Sequence, residues 1–141
     1  MFASARQSYD NATRTSVSGR EQEARALSKA ARQLEDCIRD WDAPGRSERL
    51  DQAIRFNQRL WTLFQTELAH PQHPLPLELR LNVLRLSQFI DKRSFEVLGD
   101  PDPSKLKALI DLNRQIAEGL RTEAALASTA DGSAPGAASA A

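Results

Sequence analysis

The stretch from Leu50 to Leu68 has the clearest pattern of apolar positions in the chain. Wound at about 100° per residue, its large apolar residues fall on one side of a helix, and charged and amide residues occupy the other side. The stripe consists of Leu50, Ile54, Asn57, Trp61, Phe64 and Leu68. The apolar side is widened to roughly half of the circumference by Ala53, Phe56, Leu60 and Leu63. Ser47 is placed to cap this helix, which is predicted to run to about Ala69.

A helix is also predicted upstream, over about residues 19–41. Ser18 and Glu21 have the spacing of a capping box, which predicts a helix start, and the Pro-Gly pair at 44–45 predicts a stop. The apolar positions of this helix are Leu27, Ala30, Ala31, Leu34, Cys37, Ile38 and Trp41. A weaker recurrence over residues 2–12 predicts a short N-terminal helix.

The next predicted helix, over about residues 76–98, has two apolar stripes. It begins at Pro76, whose missing N–H suits a first helical turn. One stripe consists of Leu79, Val83, Leu86, Ile90 and Val97, and the nearly opposite one of Leu77, Leu81, Leu84 and Phe95. A helix that is apolar on two sides is either sandwiched between layers or offers one stripe to another protein. The sequence favours the sandwiched arrangement, and a stripe that binds another protein remains the alternative.

The last predicted helix begins with Asp102 as a cap and Pro103 in its first turn. Its apolar face consists of Leu106, Leu109, Ile110, Asn113, Ile116, Ala117 and Leu120. Asn113 therefore lies inside an apolar stripe, as Asn57 does in the helix described first. A buried, unpaired Asn costs about 1–3 kcal/mol. We expect the two to pair with each other or with helix ends and so to fix the register of the helices.

These patterns predict an all-α fold, a small antiparallel bundle of four main helices. The turns between them are short and rich in Pro and Gly, and no segment alternates like a strand. Residues 1–122 are predicted to form a single helical domain. Residues 123–141 are rich in Ala, Ser and Gly, and we expect a disordered tail there because almost nothing in it is apolar and large.

Composition adds little that is specific. The 19 basic and 19 acidic residues cancel, which is atypical of a nucleic-acid-binding domain. Arg25, Arg32 and Arg39 stand seven residues apart and would form a ridge for RNA phosphates. Acidic residues are interleaved with them at spacings of three and four, so we expect each arginine to be paired and the ridge to be a solvated face.

No cluster of residues in the sequence indicates a catalytic or metal-binding site. Cys37 lies beside apolar positions, which predicts a buried thiol. His70 and His73 are flanked by prolines and predict a turn, because no further Cys or His completes a zinc site. With no phosphate loop and no catalytic pair, we expect no enzyme, cofactor, metal or small-molecule substrate. There is neither a signal-peptide run nor a stretch of 18 apolar residues, so we expect a cytoplasmic protein without a membrane partner.

Three segments in a fixed order nevertheless resemble a known family. They are residues 53–64 (AIRFNQRLWTLF), 74–76 (PLP) and 109–120 (LIDLNRQIAEGL), accompanied by Tyr9 and the segment at 30–34 (AARQL). Together they resemble the FlaF family, regulators of flagellar biosynthesis in alphaproteobacteria, over about residues 2–120. The residues that carry the signature are Asn57, Arg59, Trp61, Phe64, Pro76, Asn113 and Gly119.

The resemblance implies a cytoplasmic factor that binds flagellin as a chaperone and promotes its production and secretion. It also implies a partner regulator, FlbT, which restrains flagellin translation. Flagellin ends in helical segments with apolar faces, so the stripe of Leu77, Leu81, Leu84 and Phe95 is our candidate surface for flagellin. The alternative is a post-transcriptional regulator that associates with flagellin mRNA, although we expect no direct contact with RNA.

Overall fold

The computed structural model of the chain is all-α, as the sequence predicts. Its helices are α1 (Phe2–Arg39), α2 (Arg46–Leu68), α3 (Leu77–Gly99) and α4 (Pro103–Ala130). The structure describes the backbone of residues 2–130 and the side chains of residues 19–123 and of Ala125. Because the connections are only a few residues long, consecutive helices run antiparallel.

Helix α1 is longer than predicted, because it runs without interruption from Phe2. The predicted short N-terminal helix is therefore part of α1, and the predicted start near Ser18 is wrong. The physical reason is that residues 2–39 contain no proline and only one glycine, Gly19. A Ser and a Glu three residues apart are also compatible with a helix interior, so nothing in this segment ends the helix.

Helix α4 also extends further than predicted, to Ala130. Residues 123–130, which we assigned to the tail, are thus helical. Four of these eight residues are alanine, the residue with the highest helix propensity. The prediction of disorder for the remaining residues, 131–141, lies outside the described part of the chain.

The described residues form two compact units, which comprise residues 26–114 and, in the other unit, residues 2–25 together with 115–130. In the second of these, Ala24, Ala117 and Leu120 are buried, and Arg20 lies 3.6 Å from Glu123. Residues 26–114 contain the larger apolar core among the described residues. It includes the predicted apolar face of α2, since Leu50, Ile54, Trp61, Phe64 and Leu68 are all buried.

Each of the three turns is held by a basic side chain from the first turns of the helix that follows it. Arg49 donates hydrogen bonds to the backbone carbonyls of Asp40, Ala43 and Pro44. Arg80 donates to the carbonyls of Leu68 and His70 in the next turn, and Lys105 Nζ lies 2.7 Å from the carbonyl oxygen of Asp100. Carbonyls near a helix C-terminus have no partner within the helix, so these cations satisfy them and complement the helix dipole.

The helix starts differ from the prediction at one position and agree at another. Asp102 caps α4, with its Oδ1 accepting hydrogen bonds from Ser104 N at 2.9 Å and Ser104 Oγ at 2.8 Å. The hydrogen bond from the Ser104 backbone lowers the pKa of the Asp102 carboxyl. Ser47, in contrast, is not the cap of α2. Gly45 occupies that position with φ +84°, a left-handed conformation that residues other than glycine adopt only at a cost.

We predict that Gly45→Ala lowers the free energy of unfolding by about 1–2 kcal/mol, the cost of a left-handed conformation for an L-residue with a side chain. Gly119→Ala is the matched control. Gly119 lies inside α4, where a methyl group would meet nothing within 4 Å, so alanine there should stabilise by up to about 1 kcal/mol. Urea denaturation of both variants measures the difference. Equal shifts of the same sign would contradict the assigned conformation of Gly45.

Candidate functional site

A directed chain of hydrogen bonds links α2 to α4 inside the core. Trp61 Nε1 donates to Asn113 Oδ1 at 2.8 Å, and Asn113 Nδ2 donates to Asn57 Oδ1 at 2.7 Å. All three side chains are 0% exposed. The two asparagines therefore pair with each other, which is one of the two arrangements that the sequence predicts. Trp61 also packs edge-on against Phe64, with ring centroids 5.7 Å apart.

The direction of this chain follows from the chemistry of its members. An indole N–H can only donate, so Asn113 must present its oxygen to Trp61 and its amide nitrogen to Asn57. Asn57 Nδ2 is then left at the end of the chain, buried and without a hydrogen-bond partner among the described residues. Asn113 thus has two partners in the network, and Asn57 has one.

The signature residues divide into a buried and an exposed group. The buried ones are Asn57, Trp61, Phe64 and Asn113, and the exposed ones are Arg59, Pro76 and Gly119. The buried group holds α2 against α4 through the network just described. Pro76 directly precedes the first residue of α3. The buried members of the signature thus have a structural role in the core. Arg59 is exposed, so any role that it has is at the surface.

Helix α3 buries only one of its two apolar stripes. On one side Val83, Ile90 and Val97 are buried and Leu86 is half-buried, although Leu79 at the start of this stripe is 39% exposed. The opposite stripe is open: the exposed fractions are 61% for Leu77, 44% for Leu81 and 68% for Phe95, and Leu84 is half-buried. The sandwiched arrangement favoured by the sequence is therefore wrong. No helix among the described residues covers this second stripe, because α3 packs on α2 through its other side.

The turn between α2 and α3 fixes the start of the exposed stripe. Leu75 in this turn is buried. The Nδ1 atoms of His70 and His73 accept hydrogen bonds from the backbone N–H groups of Gln72 and Leu75, each at 3.2 Å. Both histidines therefore belong to the turn, as predicted. Among the described residues no three Cys, His, Asp or Glu side chains approach closely enough to hold a metal ion.

The arginines of the predicted ridge on α1 are paired less completely than expected. Arg39 contacts both Asp36, at 3.0 Å, and Asp40, at 3.0 Å. Arg25 and Arg32 are exposed, and within the described part of the chain neither forms an ion pair. Glu35, which could have paired with Arg32, instead lies 2.7 Å from Arg114 of α4. The expectation that every ridge arginine is paired is therefore wrong for Arg25 and Arg32.

Two features beside α2 were not recognised in the sequence. Leu63, placed within the apolar side of α2, is 61% exposed. An open groove of about 340 Å³ also runs between α1 and α2. The signal for the exposure of Leu63 was the width of the apolar side, since half of a helix circumference is more than one core face covers. Cys37 lies in this groove, 5% exposed, and burial raises the pKa of its thiol, in agreement with the predicted buried cysteine.

A family model described as flagellar protein FlaF matches residues 5–120 of the chain. Neither a curated protein nor a solved structure gives a significant match. The matched range includes the whole of α2 and α3, all three members of the buried network and the exposed stripe. It confirms the resemblance drawn from the sequence. No described helix is both long and apolar enough to span a bilayer.

The network predicts an order of stability for two substitutions of similar volume. Asn113→Leu leaves Trp61 Nε1 and Asn57 Oδ1 unpaired, and each buried orphan costs about 1–3 kcal/mol. Asn57→Leu leaves only Asn113 Nδ2 unpaired and removes an amide nitrogen that already has no partner. Chemical denaturation should therefore show a larger loss for Asn113→Leu than for Asn57→Leu. The reverse order would contradict the direction of the hydrogen-bond chain.

Proposed function

The chain belongs to the FlaF family of flagellar proteins, and on that premise we propose that it binds flagellin in the cytoplasm as a chaperone and promotes flagellin production and secretion. The partner regulator FlbT belongs to the same proposal as a second partner. The observation that carries the flagellin proposal is the open apolar stripe of α3. In the proposed complex, a helical segment of flagellin lies along this stripe.

Three residues of the stripe, Leu77, Leu81 and Phe95, are exposed on the same side of α3, and the polar Gln88 interrupts the stripe between Leu84 and Phe95. Single exposed leucines are common on protein surfaces, but several exposed apolar side chains on one helix face indicate an interaction site. Leu77, Leu81, Leu84 and Phe95 share one side of α3, at multiples of about 100° that differ by less than a quarter turn. From Leu77 to Phe95 the helix rises about 27 Å, at 1.5 Å per residue.

A helical segment of flagellin is a suitable occupant for a surface of this length. Amphipathic helices bind apolar surfaces through anchors spaced by three, four and seven residues. Leu77, Leu81 and Leu84 follow the same spacing, so a flagellin helix, parallel or antiparallel to α3, would interdigitate with this part of the stripe. The apolar faces of flagellin's terminal helices pack inside the filament, and a chaperone would have to cover such a face before export.

The magnitude of the apolar contribution limits the affinity. Fully burying a large apolar side chain contributes about 1.5–3 kcal/mol. Scaled by the exposed fractions of Leu77, Leu81 and Phe95, the stripe supplies roughly 3–5 kcal/mol. Association costs about 4–15 kcal/mol in lost motion. A stable complex therefore needs further contacts, and the charged residues Asp91 and Lys92 beside the stripe are placed to supply polar ones.

RNA binding is the competing function, and one observation favours it. Arg32 is exposed and has no ion-pair partner among the described residues, so its charge is available to a phosphate. Binding through phosphates would weaken steeply as salt rises, because counterions are released on association. An association with flagellin that changes little with salt, and no binding of flagellin mRNA, would exclude this function.

We predict that Leu77→Ser combined with Phe95→Ser weakens flagellin binding about tenfold or more, since tenfold corresponds to about 1.4 kcal/mol. Both residues are mostly exposed, so circular dichroism and the urea midpoint should stay close to those of the unmodified chain. Isothermal titration with flagellin from the same organism measures the affinity. Leu63→Ser is the matched control, because Leu63 is as exposed as Leu77 but lies on α2.

The proposal is contradicted if the double variant folds normally and binds flagellin as tightly as the unmodified chain. A second titration uses flagellin without its terminal helical segments. Loss of binding would place the contact on those segments. Unchanged binding of the truncated flagellin would contradict the assignment of the stripe to a flagellin helix.

A further inference from the structure

The groove between α1 and α2 forms a second surface that shares no residue with the stripe on α3. Its volume is about 340 Å³, within the range of about 300–1,000 Å³ that is typical of ligand pockets. The residues that line it include Gln33, Cys37, Arg49, Gln52, Phe56 and Arg59. Two of them are amides and two are arginines, so an apolar floor is bordered by hydrogen-bond donors and positive charge.

The floor of the groove is apolar. Cys37 and Ala53 are buried, and Phe56 is half-buried. The ammonium group of Lys29 lies 5.2 Å from the centroid of the Phe56 ring, which is a cation–π contact. One face of this ring is therefore occupied by a cation. The remaining surface of the ring can contact an apolar side chain of a ligand.

The charges around the groove are mainly positive. Arg49 donates only to backbone carbonyls, and its Nε atom is buried without a partner among the described residues. Arg59 is exposed and forms no ion pair within the described part of the chain. The one carboxylate that lines the groove, Asp36, is already paired with Arg39 at 3.0 Å. The positive charges of Arg59 and Lys29 are therefore not compensated locally.

We propose that this groove binds an acidic amphipathic peptide segment of a partner protein. An apolar side chain of the segment lies against Phe56, and its carboxylates pair with Arg59 and Lys29. Charge complementarity of this kind raises the association rate and excludes partners of the wrong sign. The inference is independent of the flagellin proposal, because it concerns different helices and a different chemistry. It gives the protein two surfaces, one mainly apolar and one apolar with a cationic rim.

The test is a titration of the ¹⁵N-labelled full chain, followed by NMR, with a short blocked peptide of Glu and Leu in an amphipathic helical pattern. We expect saturable shifts at Gln33, Gln52 and Phe56. Arg59→Glu should weaken the affinity about tenfold or more, because it turns an attraction into a repulsion. Lys107→Glu is the matched control, since it reverses one exposed charge on α4, and it should leave the affinity within about twofold.

Several results would overturn the proposal. One is the absence of saturable shifts in the groove at millimolar peptide. Another is equal binding of a control peptide in which Lys replaces every Glu. Shifts confined to Leu77, Leu81 and Phe95 would assign the peptide to α3 instead. Stronger binding of a single-stranded RNA oligomer than of the acidic peptide in the groove would assign the surface to nucleic acid. Circular dichroism of Arg59→Glu verifies that the variant is folded.

Discussion

The hydrogen-bond chain from Trp61 through Asn113 to Asn57 is the constraint on which the described core depends. Apolar side chains tolerate sliding of one helix along another, but a buried donor must meet its acceptor or lose about 1–3 kcal/mol. Trp61 and Asn57 are one helical turn apart on α2, and Asn113 reaches both from α4. This contact fixes the register of the two helices. The face that α2 presents to α3 is fixed with it.

The basic residues have a structural use that a net charge of zero conceals. Arg49, Arg80 and Lys105 each hold the turn before their own helix by donating to backbone carbonyls. These contacts need no carboxylate, and they give hydrogen-bond partners to backbone carbonyls in the short turns between antiparallel helices. Arg59 has no such task. A cation that neither holds a turn nor pairs with a carboxylate is free to act at a surface, and Arg59 borders the groove between α1 and α2.

Periodicity was sufficient to predict the four helices and the buried face of α2, and it limited the partners of the two buried asparagines to each other or to helix ends. It was insufficient where the outcome depends on what lies beyond the helix. The second stripe of α3 has the same spacing whether a neighbour covers it or not, so the sequence favoured a sandwiched helix and the structure leaves Leu77, Leu81 and Phe95 exposed. The start of α1 was misplaced because a capping-box spacing does not by itself interrupt a helix. The groove depends on two helices meeting, which no single pattern encodes.

The most direct test of the central claim, that the open stripe of α3 is the flagellin-binding surface, is a methyl NMR spectrum of the leucine-labelled chain with and without flagellin. The account predicts that the methyl signals of Leu77, Leu81 and Leu84 shift or broaden on binding. Those of the exposed Leu63 on α2 and the buried Leu27 on α1 should stay unchanged. Binding of flagellin that leaves the α3 leucines unchanged and shifts Leu63 instead would contradict it.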